Sequence, residues 1–412
     1  MRRIVITIIA ALIFLAIVWL GRHLFYPIIP EKLVAYPLAS VSRELLPRFS
    51  DDLDGAHLHE ALSLHIEQLR TRDLDQLVNF GEMQIPRRRL LATLELFCHL
   101  LTTKGISSLE KEIPRYFIVW QAAGANRKGD VLFTGYYQPV LDARLSPEGE
   151  YRYPLYRPPD DLQVIDLGEI NPLLAGEKVG LRVEKGVIQP YYDRRAIDDD
   201  KALVGRGLEL VFLKDFLDRY MLHVQGSGVM KVEDGRQIKV GFAASNYFPY
   251  TSLGKLLVAD GLMAKEAVSL RAIREYCQKH PEVIERYLNK NRRYIFFEEF
   301  TGETAGSEGV PLTPGRSIAT DKTVFPGGGL AYISFERKVR NVRGDIVQKH
   351  PINRFMIDQD TGAAMKGPGR ADIFWGTGDD AGKAAGSIKE TGALYYLLIK
   401  EGSKKTPPVE VE

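Results

Sequence analysis

The chain has 412 residues, 45% hydrophobic and 26% charged, enough to bury a large core and, by length, to form two or three domains. Its 55 basic and 53 acidic side chains leave a formal charge of +2. With no acidic or basic tail, this balance excludes the electrostatic footprint of a nucleic-acid binder and does not identify a substrate.

The N-terminus carries Arg2 and Arg3, then an apolar run from Ile4 to Leu20 broken only by Thr7. As a helix this run rises roughly 25 Å, the lower end of what spans a bilayer core. The paired arginines place the extreme N-terminus in the cytoplasm and export the remainder. Residues 16–21 offer no small-x-small cleavage site, and no cysteine follows for lipid attachment. Residues 1–25 are therefore expected to be a cytoplasmic stub and transmembrane signal anchor in the inner membrane, with a cleaved signal peptide as the alternative. Cys98 and Cys277 are the two cysteines and form neither a disulfide framework nor a metal spacing. Cys98, in an apolar helical stretch, reads as a buried small hydrophobe.

Pro27-Ile-Ile-Pro30 reads as a stiff spacer. Leu58, Leu62, Ile66 and Leu69 recur at helical spacing after the start signal at Asp51, Asp52 and Asp54, and a second helix is expected from about Arg87 to Leu101. After Gly124 the pattern changes to short β runs: Val131–Tyr137, Tyr151–Tyr156 and a hairpin piece at Gly180–Val187. Residues 208–222 read as helical, and His223 opens a new β section. Two or three helices are expected over 252–291, and strands with Gly- and Pro-rich turns from Gly309 to Leu398. The tail after Gly402 reads as disordered. Together these predict an α+β fold with β-barrel-like parts framed by helices.

Eight histidines are scattered. His57, His59 and His65 read as surface or half-buried helix residues, and no carboxylate cluster completes a metal site with them. Gly226-Ser-Gly228 does not complete a nucleophile elbow, since residue 225 is Gln, and Ser227 reads as a turn residue. The C-terminal β section is richer. It places aspartates in or beside strands in Ile318-Ala-Thr-Asp-Lys322, in Met356-Ile-Asp-Gln-Asp-Thr-Gly362 and in Arg370-Ala-Asp-Ile-Phe-Trp-Gly376. A carboxylate in a strand is disfavoured unless it is hydrogen-bonded or protonated. On a strand, Arg370, Asp372 and Phe374 share one face, and Ile373 and Trp375 the other. A carboxyl beside an aromatic is the kind of site that keeps a proton near neutrality. By spacing alone two readings of Asp372 stand level: a proton donor, or a structural residue capping a turn.

Six runs in fixed order resemble the membrane-bound lytic murein transglycosylase A family, whose C-terminal part is called the 3D domain after three aspartates. They are Phe133-Thr-Gly-Tyr-Tyr-Gln-Pro-Val140, Val224-Gln-Gly-Ser-Gly228, Ala244-Ser-Asn-Tyr-Phe-Pro-Tyr-Thr-Ser-Leu-Gly-Lys255, Ala319-Thr-Asp321, Asp360-Thr-Gly362 with Met365-Lys-Gly367, and Ala371-Asp372. The resemblance covers roughly residues 100–400 and implies a double-psi β-barrel with a smaller β-barrel domain inserted and a groove between them. On this reading residues 26–125 are linker and helical segment. Residues 126–140 and 221–400 form the double-psi barrel (the 3D part about 309–400), 141–220 the insert, and 401–412 a tail. The missing lipid-bearing cysteine departs from familiar members and favours the N-terminal helix as anchor.

The resemblance implies cleavage of peptidoglycan glycan strands in the periplasm without cofactor or metal, with a cell-wall synthase complex as a possible partner. Asp372 stands where the family's catalytic acid stands, and Asp360 and Asp321 complete the trio as supports that orient it or help hold it protonated. In a lytic transglycosylase the C6 hydroxyl of N-acetylmuramic acid attacks its own anomeric carbon, so one carboxyl serves as acid and then as base. That differs from the two-carboxylate arrangement of glycoside hydrolases. Tyr136, Tyr137, Asn246, Tyr247 and Trp375 are candidate sugar contacts, with Thr134 and Gln225 behind them; for the first five, packing is the competing reading. Two other classes compete. Asp360-Thr-Gly362 is the tripeptide of aspartic proteases, but a single copy requires a symmetric dimer to pair two carboxyls. A non-catalytic wall-binding module would not need an acid among apolar neighbours.

Overall fold

The computed structural model describes residues 36–402 apart from 172–173, 175–176, 265–267 and 341–345. The expected membrane-spanning run at 4–20 and the tail beyond residue 402 lie outside the described residues. Among the described residues no helix is long and apolar enough to cross a membrane.

Six strands close into a barrel: β1 (Val131–Gln138), β2 (Ser317–Ala319), β3 (Leu330–Arg340), β4 (Ile346–Asp360), β5 (Arg370–Thr377) and β6 (Lys389–Ile399). Their order is β6-β3-β4-β2-β5-β1, and β1 pairs back onto β6 to complete the ring. The β2–β4 and β5–β1 ladders are parallel, and the other four are antiparallel. Closure leaves these strands with two buried faces, so they read as apolar runs rather than alternating ones. In β3, Leu330, Ala331, Tyr332, Ile333 and Phe335 are all buried. At the closing corner Gly392 faces Phe335 of β3 on one side and Val131 of β1 on the other. A Cβ there would sit 2.3 Å from the Ser334 carbonyl oxygen, so the corner requires glycine.

Strand Phe117–Ala122 extends the sheet beyond β6, and Leu38–Ser40 pairs with it in turn. Two helices, Leu58–Arg70 and Arg87–Lys104, cover the outer face and match the spacing read from the sequence. Leu58, Leu62, Leu94 and Phe97 join one apolar cluster with Phe355, Tyr396 and Leu398 of the barrel. His65 departs from its expected half-exposed place. It lies on the buried face of its helix, 1% exposed, and burial first, with nearby cations, pushes its imidazole down to about 3.

A second, six-stranded sheet runs Ile295–Phe300, Gln237–Ser245, Ser227–Lys231, Val140–Arg144, Glu209–Leu213, Tyr153–Tyr156. Pro139 alone separates its strand at Val140 from β1. This sheet is broader than the 141–220 segment expected for the insert, because strands at 227–231, 237–245 and 295–300 pair within it and not within the barrel. Ladder partners come from the whole chain, and alternation in a short strand does not name them. Within 208–222 the helix expectation also changes. Glu209–Leu213 is a strand, and the helix starts at Phe216, where the Asp215 side chain accepts from the Leu217 N–H at 2.6 Å. That helix runs through His223 to Gln225. Ser227 is the first residue of a strand rather than a turn, after Gly226 caps the helix at φ 83°. A three-stranded sheet, Gln163–Asp166, Lys178–Glu184 and Val187–Pro190, contains the expected hairpin.

Candidate active site

The site forms where β1 and β5 run in parallel. Their register sets Thr134 beside Asp372 and Tyr136 beside Phe374, so alternate residues of both strands share a face. The Thr134 hydroxyl donates to Asp372 Oδ1. Arg370, two residues earlier on the same face, donates from Nε to Oδ1 and from Nη2 to Oδ2, each at 3.2 Å. Its Nη2 also donates to Thr134 Oγ1 at 3.1 Å. The side chains of Asp372 and Arg370 are 16% and 32% exposed, so the group is reachable from solvent. The shared face of Arg370 and Asp372 is as read from the sequence, but the immediate neighbour of the carboxyl is a guanidinium. Phe374 instead packs on Tyr136, ring centroids 5.3 Å apart.

Tyr136 links this group to the end of β4, donating its hydroxyl to Asp360 Oδ2 at 2.9 Å. Asp360 Oδ1 accepts from the backbone N–H of Ser307 at 3.0 Å and of Thr361 at 2.8 Å. Burial raises the Asp360 carboxyl above the ordinary range, against the opposing pull of those donors. Burial, then the charge and hydrogen bond of Asp360, holds the Tyr136 phenol far above its usual value, so it remains a donor. Asp321 serves another end. It accepts from the Thr323 N–H at 3.0 Å, the Thr323 hydroxyl at 2.7 Å and the Gly367 N–H at 2.6 Å, tying two loops together. Neither Asp360 nor Asp321 is hydrogen-bonded to Asp372. The trio is two backbone-holding carboxylates and one held by side chains.

A fourth aspartate was not singled out in the sequence. Asp358 is fully buried, accepting from Thr320 Oγ1 at 2.6 Å, from the Tyr396 hydroxyl at 2.7 Å and from Lys322 Nζ. Burial raises its carboxyl despite that ammonium. Its one available signal was alternation, since Asp358 and Asp360 are two apart on a single strand.

From the second sheet, the loop after Ser245 brings Tyr250 close enough to Arg370 and Asp372 for their charges to act on its phenol. Burial raises that phenol first, and Arg370 pulls it down. Tyr250 and Arg370 lie in the runs Ala244–Lys255 and Arg370–Gly376, whose spacing alone does not mark them as site residues. The selected neighbours divide. Asn246 is 1% exposed, and its amide is committed to backbone: Nδ2 donates to the carbonyls of Tyr192 at 3.0 Å and Arg292 at 2.8 Å, while Oδ1 accepts from the Tyr294 N–H at 2.9 Å. It shapes the loop and has no amide group to spare for a sugar. Tyr247 follows at φ 59°, a conformation that costs a bulky residue energy and persists where surroundings enforce it. Gln225 accepts from the Tyr137 N–H at 3.0 Å, joining the helix Phe216–Gln225 to β1. The Tyr137 ring lies against Gly382 of the helix Asp379–Gly386, half-buried. Trp375 turns to the other face and packs against the core, with the Arg354 guanidinium 5.5 Å from its ring.

Comparisons with known proteins converge on one family. Residues 132–298 match the model of the MltA specific insert domain, and residues 316–398 match that of the 3D domain. The first match runs from within β1 to within the strand Ile295–Phe300. The membrane-bound lytic murein transglycosylase A of Vibrio cholerae is 30% identical over 290 residues, 70% of this chain and 70% of that protein. The Escherichia coli protein of the same name is 30% identical over 288 residues, covering 69% and 70%. The crystal structure of a membrane-bound lytic murein transglycosylase from Agrobacterium tumefaciens superposes with a TM-score of 0.73 at 28% identity, over 88% of this chain and 97% of that one. Escherichia coli MltA with bound chitohexaose shares the fold with a TM-score of 0.66 at 24% identity, over 88% and 94%.

Proposed function

The chain belongs to the membrane-bound lytic murein transglycosylase A family, and from that premise we propose that it cleaves the β-1,4 bond between N-acetylmuramic acid and N-acetylglucosamine, leaving a 1,6-anhydro sugar. We read the closed barrel as the double-psi barrel of that family, and the catalytic part as periplasmic and tethered by the N-terminal apolar run.

Asp372 is the carboxyl that performs the chemistry. Its proton passes to the glycosidic oxygen as the bond from that oxygen to C1 breaks, the bonding pair leaving with the oxygen. The C6 hydroxyl oxygen of the same sugar then bonds to C1, and its proton passes to Asp372, restoring the acid. The nucleophile is part of the substrate, so the site has to hold a ring shape rather than position a water. Asp360 and Asp321 support the frame through the backbone amides they hold, and Tyr136, Tyr137, Tyr247 and Tyr250 are the contacts available to the sugar. One observation carries this reading. Asp321 and Asp360 are fixed by backbone N–H groups, whereas all the donors to Asp372 are side chains that can move aside for a substrate oxygen.

Asp372→Asn keeps the shape and removes the proton. With purified sacculi, release of anhydromuropeptides should fall by about 10²–10⁴-fold, the usual worth of a general acid–base. A folded variant that releases them at the normal rate removes Asp372 from the mechanism. Products from the unmodified enzyme with a free C1 would make it a hydrolase instead.

A further inference from the structure

Two kinds of β-1,4 bond alternate along a peptidoglycan strand, and the proposed reaction cuts one of them. Both sugars carry a C6 hydroxyl, so an intramolecular nucleophile does not choose between them. They differ in the lactyl group on O3 of N-acetylmuramic acid, which lies across the ring from C1. A contact that tells the two bonds apart therefore has to reach that group while C1 faces Asp372. The strand register places a donor there. Thr134 of β1 is paired with Asp372 of β5 on one side and with Lys389 of β6 on the other. Directly paired residues present their side chains to one face. Ile388 and Glu390, on either side of Lys389, are buried, whereas Lys389 is exposed. Lys389 thus stands on the face of Asp372, two strands away, about 10 Å at the usual strand spacing.

We propose that Lys389 is a specificity-determining residue whose ammonium holds the acyl oxygens of the lactyl group on the sugar whose C1 faces Asp372. This rests on Asp372 being the acid. Arg370 is the other cation on this face of the three strands, but its Nε and Nη2 are engaged by Asp372 and Thr134. Lys389 Nζ donates to the Val268 carbonyl at 3.3 Å. A neutral carbonyl takes one of the three N–H donors of an ammonium and does not neutralise it. A lysine is a compact charge on a flexible stem, suited to an acyl group that a bound sugar brings within reach. That group is a carboxylate in strands stripped of stem peptide and an amide carbonyl in strands that keep it, so the contact is stronger in the first.

The test compares Lys389→Met and Lys389→Arg with the unmodified enzyme on peptide-free glycan strands. Chitohexaose, an N-acetylglucosamine oligomer without lactyl groups, serves as competing inhibitor. Lys389→Met should raise KM for the strands about five- to tenfold and leave kcat within about twofold, the pattern of a contact made equally in ground and transition states. The inhibition constant of chitohexaose should stay within about twofold of the unmodified enzyme's, because the lost contact is to a group it lacks. Lys389→Arg keeps the charge and should recover most of the KM. On strands that keep their stem peptides the rise should be smaller, since an amide carbonyl carries no charge. A larger rise there assigns the contact to stem-peptide carboxylates and overturns the lactyl assignment. An unmoved KM overturns the proposal. Equal weakening of strand and chitohexaose also overturns it, and would make Lys389 a support for the chain at Val268. Full activity in Asp372→Asn would instead overturn the reading of the acid, a failure that the strand-to-chitohexaose ratio does not share.

Discussion

A buried carboxylate costs free energy unless its surroundings answer it, and this barrel answers two of them in different ways. Asp358 relies on an ammonium and two hydroxyls. Asp358→Ala would leave the ammonium of Lys322, whose side chain is 22% exposed, without this partner, and the loss should be about 3 kcal/mol, read as a lower midpoint in chemical denaturation. Asp360 relies on two amides and a phenol, and its carboxyl is raised above the unfolded value by burial. A raised carboxyl favours folding below the unfolded value near 3.9 and loses that contribution as pH rises through the folded one. Asp360→Asn keeps an acceptor for the two amides and carries no charge. Its melting temperature should therefore exceed the wild type's at pH 7, with the difference closing toward pH 4; a deficit at pH 7 would show that the charge itself is needed. Their places in or beside strands made Asp360 and Asp372 conspicuous in the sequence, but did not say which carboxyl backbone would hold. For Asp360 that depends on the loop at Ser307, 53 residues away in sequence.

At the scale of elements, the segment before the first helix is fastened to the barrel by two arginine forks. Arg316 Nη1 and Nη2 donate to the two oxygens of Asp51 at 2.7 and 2.8 Å, with both side chains fully buried. Arg354 Nε and Nη2 donate to Asp52, each at 2.7 Å. In the sequence Asp51, Asp52 and Asp54 read as a helix start. The helix begins later, at Leu58, because Asp51 is occupied by Arg316 and by the N–H groups of Leu53, Gly55 and Phe355. Burial raises the Asp51 carboxyl, but Arg316 together with the Gly55 and Phe355 N–H groups outweighs it and the net shift is downward. Its contribution is therefore present above the unfolded value near 3.9 and lost as pH falls through the lower, folded one. Asp51→Ala leaves a buried guanidinium unpaired and should cost about 3–5 kcal/mol near neutrality. As pH falls through the folded value the penalty relative to wild type should shrink; urea melts over a descending pH series from 7 would measure it. A cost unchanged down to the acid limit of the folded state would mean packing, not charge, holds the segment.

On the scale of the whole molecule, the sequence was most legible where one stretch of chain carries its own signal. The helices at 58–70 and 87–104, the β1 run and the face shared by Arg370 and Asp372 all follow from local periodicity. Less legible was what brings distant stretches together: the second sheet gathers strands from Val140 to Phe300, and Asn246 turned out to be a scaffold for its own loop. The consequence is a site assembled from two sheets, with Thr134, Arg370 and Asp372 on the barrel and Tyr250 on a loop of the second sheet. A glycan strand that occupies it has to touch both. In hydrogen exchange with the Asp372→Asn variant and isolated glycan strands, peptides covering 131–138, 245–252 and 370–377 should gain protection together, at the same ligand concentration. Backbone N–H groups in β1 and β5 are already paired, so the largest change should fall in 245–252, where few ladder bonds exist to slow exchange. Protection confined to the barrel strands would place the strand on one sheet alone and remove Tyr247 and Tyr250 from the substrate contacts.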